Sequence, residues 1–383
     1  MSINVNDSRQ CVLLLNHAPN PRMLKRVAVL RQSFVIHLVC LRRLDTDIWD
    51  IDETLYGSVS VIERSVPSSD QLIQRLSVTS GYAQEMLAEI EAVKPSLIYT
   101  EGLDCLAVAS RYKQKNQKCR IIFEVADLRA AYLADPTSIT AKMKRTIVSL
   151  AEKRLYRHID ALVVTSELFY DEYFSRMIPN VPVLFAPNAP DPDLFKRFSP
   201  VEHDCFTVGF IGGIRYPKQM AMLIRACESI GCKALLAGAP AIPEGELNRL
   251  KEEADPALFE FSGKYSYAND ILDLYGRVDC VYAVYDADDP NVRIALPNKL
   301  YEAVDCELPI IVAKGTYLAQ LVDSWGVGIA VSHFDQVDLE RAITALMRED
   351  VRKRIQFNCR VVKQENVRNN WQEQLLSMVE NDA

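Results

Sequence analysis

Short apolar runs alternate with longer amphipathic segments along the chain, and this alternation limits the fold more than any other feature. The runs are continuous stretches rich in Val, Ile and Leu, which is typical of strands buried on both faces of a sheet. Helical patterns lie between most of them, so the strands are predicted to be parallel and joined by crossover helices. The predicted strands span 11–16, 35–41, 59–62, 96–100, 120–125, 161–165, 181–185, 207–211, 233–237, 258–261, 280–285, 309–313 and 328–331.

A proline-rich segment divides this series into two parts. Four prolines crowd into residues 187–200, and proline at this density interrupts helices and strand pairing. We therefore predict a Rossmann-like domain at 1–190, joined by a C-terminal helix at 366–383, and a second Rossmann-like domain at 200–365. The predicted fold class is α/β, with two doubly wound parallel sheets facing each other across a cleft that binds ligands at the carboxyl ends of the strands.

The composition is that of a soluble globular protein, with 49% hydrophobic and 25% charged residues among 383. A net charge of −7 argues against a nucleic-acid-binding protein, which needs a basic surface. The charge is uneven, because residues 1–200 hold 25 basic and 23 acidic side chains and the remainder hold 19 and 28. The first half is therefore the better candidate to face an anionic surface.

The ten cysteines are scattered, without a CxxC pair or a Cys/His cluster of zinc-binding spacing. They are predicted to be small buried side chains of a protein in a reducing compartment. The apolar run 12–15 is too short for a signal peptide, and no run has the length of a membrane span. These features favour a cytoplasmic protein, and the sequence indicates no cofactor.

The segment from Leu296 to Glu302 has the pattern of a loop that leads into a helix. Pro297 is suited to the edge of a helix, and the side-chain oxygen of Asn298 can cap it. The start of a helix attracts anions, Lys299 adds a positive charge there, and Glu302 follows about one turn later. This arrangement is suited to a nucleoside diphosphate, with phosphates at the helix start and sugar hydroxyls on the carboxylate. An ordinary capped helix is the alternative.

A second loop carries Gly212 and Gly213, followed by Arg215 and Lys218. Paired glycines allow a backbone to approach a ligand closely. A parallel sheet would bring these two cations to the same edge as Lys299, where the three charges could stabilise a departing diphosphate without a metal. A tight turn with two solvated cations is the alternative.

The second half of the chain resembles the nucleotide-binding domain of retaining GT-B-fold glycosyltransferases of family 4, the glycosyl transferases group 1. The resemblance is carried by both loops, by the linker around Asn188 and Phe195, and by the strand at 160–167. The resemblance covers most of 123–340 and is nearest to polysaccharide-assembly members. It implies a metal-independent hexosyltransferase that moves a sugar from a nucleotide donor, such as a UDP-sugar, to an acceptor hydroxyl with retention. The second domain would hold the donor and the first a lipid-linked or oligosaccharide acceptor, in surface polysaccharide or glycolipid synthesis.

The resemblance also implies roles for individual residues. Glu302 would bind the ribose of the nucleotide. The predicted catalytic residues are Arg215 and Lys218, which would stabilise the leaving diphosphate, and Asp127, which would contact the acceptor or the donor sugar. Each of three residues has a structural alternative. Asp127 could be the N-cap of a helix, Tyr265 could occupy an ordinary loop position, and Arg22 could lie on a solvated helix face. The donor-binding set is Gly212, Gly213, Tyr265, Asn298, Lys299, Leu300 and Glu302, and the acceptor-side set is Asn16, His17 and Arg22.

Two positions depart from the family pattern. Ile294 stands where the family commonly has the first of two glutamates, so that this carboxylate is missing or is replaced from nearby by Asp289, Asn291 or Arg293. Ala126 stands where many relatives have a histidine. These departures leave two alternatives open, a sugar-nucleotide 2-epimerase and a non-catalytic glycosyltransferase-like partner subunit.

Two further segments have alternative interpretations. Asp286 and Asp288 have the D-x-D spacing that can bind a hard cation, but a solvated loop is favoured, and no metal is predicted. Residues 141–157 combine six basic side chains and the single acid Glu152 with an apolar stripe that includes Leu150 and Leu155. Such a helix can lie on an anionic membrane surface, or its stripe can face the domain core.

Overall fold

A computed structural model describes residues 9–43, 50–65, 72–128, 146, 149–150, 152–190, 192–201, 204–364 and 370–380. The chain divides into two units. Unit 1 comprises Met1–Ala186 and Asn369–Ala383, and unit 2 comprises Pro187–Arg368.

Unit 1 is built on a parallel sheet with the strand order β3-β2-β1-β4-β5-β6-β7. The central strand β1 is apolar and buried along most of its length, as a strand covered on both faces must be. The strands are β1 Gln10–Leu15, β2 Val35–Arg43, β3 Ser58–Arg64, β4 Leu97–Glu101, β5 Arg120–Val125, β6 Ala161–Val164 and β7 Val183–Phe185. The long helices before unit 2 are α1 Pro21–Leu30, α2 Leu72–Val93 and α3 Leu103–Lys115.

Helix α1 contains the predicted acceptor-side residue Arg22 and begins shortly after the loop that carries the other two, Asn16 and His17. Asn20 caps it by accepting a hydrogen bond from the backbone N–H of Met23 at 3.0 Å, and Pro21 occupies the first helical turn. This cap fixes the direction in which the side chain of Arg22 leaves the helix.

Unit 2 repeats the design with the strand order β10-β9-β8-β11-β12-β13. Its strands are β8 Thr207–Ile211, β9 Lys233–Ala237, β10 Phe259–Gly263, β11 Cys280–Ala283, β12 Ile310–Ala313 and β13 Gly328–Val331. Its labelled helices are α4 Pro217–Ile230, α5 Glu244–Glu252, α6 Tyr267–Gly276, α7 Pro290–Ile294, α8 Asn298–Asp305, α9 Tyr317–Trp325, α10 Gln336–Met347 and α11 Glu349–Gln364. A short helix, Pro192–Phe195, precedes β8.

After unit 2 the chain returns to unit 1 through helix α12, Trp371–Glu380. Trp371, Leu375 and Val379 belong to the same buried apolar cluster as β1 and α1. The indole of Trp371 also lies under the guanidinium of Arg26, 4.1 Å from the ring centroid. Helix α12 is therefore part of the core of unit 1.

In both units the chain changes direction across the sheet between the first and the fourth strand, β1 and β4 in unit 1 and β8 and β11 in unit 2. Loops that leave such a switch point diverge and create the usual ligand position of an open α/β sheet. The predicted α/β fold class is confirmed, because every predicted strand is present and four of them have the predicted bounds. Residues 141–145, 147–148 and 151 of the predicted helix 141–157 lie outside the described residues, and 152–156 are helical. Among the described residues no helix has the length and apolar character needed to span a membrane.

Candidate functional site

Glycines pack three loops of unit 2 against one another at the carboxyl end of its sheet. Gly212 adopts a φ of +144° and donates its N–H to Ala237 at 2.8 Å, and Gly238 donates to Gly263 at 2.7 Å. A Cβ on Gly238 would overlap the carbonyl of Gly212, and a Cβ on Gly212 would lie 2.5 Å from Nζ of Lys299. Only glycine lets these loops and the lysine meet.

Lys299 is a buried cation held by aromatic rings. Its side chain is 5% exposed, and Nζ lies 4.4 Å from the ring centroid of Phe210 and 5.6 Å from that of Tyr285. Nζ donates to the hydroxyl of Tyr285 at 3.1 Å, and among the described residues no carboxylate forms an ion pair with it. Two rings and one hydroxyl leave the positive charge without a counter-anion, so the site is suited to bind one.

Glu302 is a buried anion one turn along the same helix. Its side chain is 1% exposed, and its two carboxylate oxygens accept three hydrogen bonds. Tyr267 donates to Oε1 at 2.7 Å, Asn298 donates to Oε1 at 2.7 Å, and Tyr275 donates to Oε2 at 2.6 Å. Helix α8 therefore presents an isolated ammonium group and a fully hydrogen-bonded carboxylate within one turn.

One expected detail of this helix is wrong. Asn298 was predicted to cap α8 with its side chain, but the N-cap position is Pro297 and no side chain caps the helix. The Asn298 amide bonds to Glu302 instead, because a residue at the first helical position lies on the same face as the residue four positions later. The first N–H groups of α8 are thus not covered by a capping side chain.

The other predicted donor-side residues lie around the same edge of the sheet. Arg215 is exposed, and its Nε lies 3.7 Å from the position of a Cβ on Gly213. Tyr265 is half-buried, and burial and then the charge of Glu302 raise its pKa. Leu300 is completely buried in the core, so its backbone is the part that can face a ligand.

Lys218 faces a groove of about 580 Å³ on unit 2. The lysine is exposed in the first turn of α4 and lines this groove with Arg225, Arg249 and Phe334. The structure thus brings Arg215 and Lys299 to the glycine pair, whereas it places Lys218 along the groove beside α4.

Unit 1 contains a second charged cluster, at the carboxyl ends of β4 and β5. Glu124 is completely buried and pairs with two arginines, with Nε of Arg22 3.1 Å from Oε1 and Nε of Arg26 3.1 Å from Oε2. The hydroxyl of Tyr99 also donates to Glu124. Arg22 extends the network by donating to Glu101 at 2.6 Å. The predicted residue Arg22 is therefore a buried ion-pair residue, and the solvated helix face is excluded for it.

His17 is bonded through both ring nitrogens. Nδ1 lies 2.6 Å from the carbonyl oxygen of Ala18, and Nε2 lies 3.3 Å from Oε2 of Glu101. Both partners are acceptors, so each ring nitrogen carries a proton in this arrangement. Burial lowers the pKa of His17, but the bond to Glu101 outweighs burial and the pKa is raised. These contacts favour the protonated ring, in which neither nitrogen keeps a lone pair to act as a general base.

Two further predicted residues lie at the same edge of unit 1. Asp127 is exposed directly after β5, near enough to Arg22 to contribute to its raised pKa, although less than Glu101 and Glu124 do. The side chain of Asn16 packs against Gly102, which has a φ of +84°. The residues that follow Leu128 lie outside the described part of the chain, so the helix N-cap alternative for Asp127 is not tested.

Asp286, Asp288 and His333 form the group that could hold a metal ion among the described residues, with ligand atoms within 4.8 Å of one another. Nδ1 of His333 already accepts the backbone N–H of Ala287 at 3.2 Å, which leaves that nitrogen without a free lone pair. The two carboxylates belong to the loop after β11, where Asp288 is exposed and Asp286 is partly buried with Oδ1 at 3.3 Å from Nδ1 of His333.

The residues considered as replacements for the missing glutamate are engaged in local structure. Asp289 caps helix α7 by accepting the N–H of Asn291 at 2.9 Å. Arg293 donates Nε to the carbonyl of Ala287 at 2.7 Å and lies 3.9 Å from Asp288. Both side chains hold this loop in place.

The C-terminal part of the basic segment 141–157 exposes a face that carries both an apolar side chain and basic side chains. Leu150 is 63% exposed, and Lys153, Arg154 and Arg157 are exposed at helical spacing from it. The inward face carries Glu152, which accepts a hydrogen bond from Tyr173 at 2.8 Å, and the buried ring of Tyr156. The interpretation that places the apolar stripe in the core is therefore wrong for Leu150.

Comparisons with known proteins agree with this architecture. Sucrose-phosphate synthase from Thermosynechococcus elongatus has a TM-score of 0.69 at 16% identity, over 97% of this chain and 98% of that chain. HepE from Anabaena in complex with UDP and glucose has a TM-score of 0.67 at 16% identity, over 97% and 100%. A glycosyltransferase from Rickettsia africae has a TM-score of 0.67 at 13% identity, over 98% and 100%. The chain has the fold of the GT-B glycosyltransferases.

The family assignment rests on unit 2. Residues 205–349 match the family model described as Glycosyl transferases group 1, so this part of the chain is a glycosyl transferases group 1 domain. A comparison with curated protein sequences gives no match. The resemblance to the glycosyl transferases group 1 is confirmed for this domain, and the GT-B fold is confirmed for the whole chain.

The sequence left several partners of the predicted residues unidentified. The aromatic rings around Lys299 come from Phe210 and Tyr285, and the phenols on Glu302 come from Tyr267 and Tyr275. Phe210, Tyr267 and Tyr275 lie in a strand or a helix, and Tyr285 continues the apolar run of β11, so the periodicity predicts core positions only. Glu124 gave a usable signal, because a lone acid inside an apolar strand needs a cationic partner.

Proposed function

We propose that the protein is a glycosyltransferase that binds a nucleoside-diphosphate sugar in unit 2 and transfers the sugar to an acceptor hydroxyl with retention and without a metal. The anomeric C–O bond to the diphosphate breaks, a new C–O bond forms to the acceptor oxygen, and the acceptor proton ends on the departing diphosphate. The HepE structure that shares this fold contains UDP, and we infer a UDP-sugar as the first donor to test.

The main support for this proposal is the burial of Lys299 without a paired carboxylate among the described residues. This residue is 5% exposed and faces aromatic rings, with no described carboxylate paired to it. A buried ammonium group without a counter-anion is costly unless a ligand supplies the negative charge. Its position at the start of α8, where backbone N–H groups also attract anions, matches a diphosphate.

The remaining donor-side residues extend the same scheme. Arg215 at the glycine pair and Lys218 in the first turn of α4 would neutralise the diphosphate as it leaves. Tyr265 would contact the base, and Glu302 the ribose. Gly212 and Gly213 would let the backbone approach the phosphates.

Unit 1 would bind the acceptor. His17 and Arg22 lie in one network with Glu101 at the carboxyl ends of β1 and β4, and they would line the position of an acceptor such as a lipid-linked sugar or an oligosaccharide. Asp127, exposed at the end of β5, would orient the acceptor hydroxyl or the donor sugar, and Asn16 would line the same loop. This acceptor class fits surface polysaccharide or glycolipid synthesis.

We further propose that the protein works in the cytoplasm at an anionic membrane face. Leu150 offers an exposed apolar side chain, and Lys153, Arg154 and Arg157 surround it with positive charge. An apolar anchor flanked by basic residues is suited to the headgroup region of anionic lipids. The free thiols of all ten cysteines agree with a reducing compartment.

The donor proposal is tested by incubating the protein with a panel of nucleotide sugars in EDTA and measuring the release of nucleoside diphosphate. Release from one donor is expected, and Lys299→Met should reduce it at least tenfold, whereas Lys233→Met at the exposed amino end of β9 should not. Turnover that requires an added divalent cation would contradict the metal-free mechanism. Conversion of the donor to an epimer would favour the 2-epimerase, and no donor binding at all would favour the non-catalytic subunit.

The membrane proposal is tested by sedimentation with vesicles of phosphatidylcholine and phosphatidylglycerol. The triple variant K153Q/R154Q/R157Q should lose binding while it retains donor turnover. The control is K233Q/K264Q/R354Q, which removes three exposed charges from unit 2 and should bind as the wild type does. Equal binding by both triple variants would contradict the proposal.

A further inference from the structure

Glu302 offers no open position to a ligand in this structure. Its side chain is 1% exposed, and three donors occupy its two oxygens. Because the carboxylate is almost completely covered, a ribose hydroxyl can reach Glu302 only after a side chain that covers it has moved away. The question is which of the three can leave.

Two of the donors are held in place. Tyr275 is completely buried, and its ring packs edge-on against Phe195 with a centroid distance of 6.1 Å. Its departure would open a cavity in the core. Asn298 lies four residues before Glu302 in helix α8, so the helix itself keeps the two side chains adjacent.

Tyr267 is held less firmly. It is half-buried at the first residue of α6, and Ser266 before it makes no side-chain cap to that helix. Among the described residues, the hydroxyl of Tyr267 donates to Glu302. Because the residue is only partly buried, we expect a rotation of its side chain to move the phenol toward water.

The phenol of Tyr267 and a ribose hydroxyl are chemically equivalent at this position. Each donates one O–H to a carboxylate oxygen, so an exchange between them keeps Glu302 fully hydrogen-bonded. Burial, and then the charge of Glu302, raise the pKa of Tyr267, so the phenol carries its proton and acts as a donor.

We propose that Tyr267 occupies the ribose position on Glu302 in the empty protein and is displaced when the nucleotide binds. This inference rests on the proposed function, in which Glu302 holds the ribose. Tyr267 then competes with the ribose and sets the selectivity for it. A nucleotide that lacks the corresponding hydroxyl leaves Tyr267 in place, so the wild-type protein loses little by binding a deoxynucleotide.

The experiment is a calorimetric titration of wild type and Tyr267→Phe with UDP, 2′-deoxy-UDP and 3′-deoxy-UDP. Tyr267→Phe should bind UDP about tenfold more tightly, because one hydrogen bond to a carboxylate no longer has to be broken. The preference for UDP over one of the two deoxynucleotides should widen by a similar factor. Tyr267→Phe that binds UDP no more tightly than the wild type would overturn the proposal.

Tyr275→Phe is the matched control, because it makes the same chemical change on the other oxygen of Glu302. It should not gain affinity, since Tyr275 is not displaced. Equal gains in both variants would contradict an exchange at Tyr267.

A second readout follows the displaced side chain directly. Nitration of tyrosines by tetranitromethane, located by peptide mass spectrometry, should increase at Tyr267 when UDP is added, because the phenol gains access to water. Protection of Tyr267 by UDP would also overturn the proposal. If the wild-type protein binds no nucleoside diphosphate of the donor panel, the proposed function fails, and this inference fails with it. If it binds one and Tyr267→Phe has no effect, only this inference fails.

Discussion

Nε of Arg26 lies 3.1 Å from Oε2 of Glu124, and both side chains are excluded from solvent in the core of unit 1. The same guanidinium donates to the carbonyl of Ala186 at 2.8 Å and covers the ring of Trp371. One ion pair thus connects the sheet, the end of β7 and the returning helix α12. Its loss should affect the whole unit.

Glu124→Gln is expected to lower the free energy of unfolding by about 3 kcal/mol, because it leaves two buried guanidinium groups without their shared carboxylate. The measurement is chemical denaturation followed by circular dichroism. Glu63→Gln is the control, since Glu63 and Arg42 form an exposed pair at 3.6 Å whose removal should cost at most about 0.5 kcal/mol. Similar losses in the two variants would contradict the role of burial.

The contribution of His17 should depend on pH in a defined direction. Its pKa in the folded protein is raised by Glu101, so its contribution to stability is complete below the unfolded pKa of about 6.5 and is lost as the pH rises through the folded pKa. The difference in unfolding free energy between wild type and His17→Gln should therefore shrink between pH 6 and pH 9.

His37 provides a control of opposite sign for that experiment. Burial lowers its pKa, so its contribution is present above the unfolded pKa and is lost as the pH falls through the folded pKa. The difference between wild type and His37→Gln should decrease toward acid. The same slope in both variants would contradict the direction of the pKa shift of at least one of the two histidines.

Glu101 should govern stability at lower pH. Burial alone would raise its pKa, but Arg22 and then His17 lower it to about 2. Its contribution is present above the unfolded pKa of about 4.3 and is lost as the pH falls toward 2. Unfolding curves of Glu101→Gln and wild type should therefore converge in acid, and curves that stay apart at pH 2 would contradict this.

Gly212→Ala is expected to abolish nucleotide binding and to lower the Tm. The new Cβ would lie 2.5 Å from Nζ of Lys299, at a φ of +144° that an L-residue rarely adopts. Gly245→Ala is the control, because a Cβ there meets no atom within 4 Å and alanine is the better helix former by about 0.5–1 kcal/mol. Nucleotide binding by Gly212→Ala at wild-type affinity would contradict the close approach of Lys299.

The cysteines should react unequally with a thiol reagent. Nine of the ten are buried, and Cys205 is half-buried. In native protein a dithionitrobenzoate assay should detect about one thiol, located at Cys205 by mass spectrometry, because modification needs an exposed thiolate. All ten should react after unfolding in guanidinium chloride. Rapid reaction of several thiols in the native state would contradict the burial.

Sequence patterns were sufficient for the fold because its strands are continuous apolar runs. β5, β8, β9 and β13 have the predicted bounds, because each is a short and mostly apolar run of the kind that forms a strand in a parallel sheet. The predicted end of β11 was too late, because Val284 and Tyr285 continue the apolar run beyond the last paired residue. Tyr285 instead contributes its ring and hydroxyl to the surroundings of Lys299.

The candidate site was less accessible to sequence analysis. The spacing of Lys299 and Glu302 predicts that both lie near the start of α8, but the state of each depends on partners distant in the sequence. Tyr267 is 35 positions from Glu302 along the chain, and Glu124 is 98 positions from Arg26. Contacts of this kind depend on how strands are ordered in the sheet, which periodicity does not specify.

The return of α12 to unit 1 has a consequence for biosynthesis. Trp371, Leu375 and Val379 complete the apolar cluster that β1 and α1 begin, whereas unit 2 is continuous in the chain. On the ribosome, the segment that forms unit 2 is synthesised before α12. The core of unit 1 is therefore incomplete until α12 has been synthesised. Domains usually fold in their order along the chain, but here unit 1 completes its folding last although its first strand is made first.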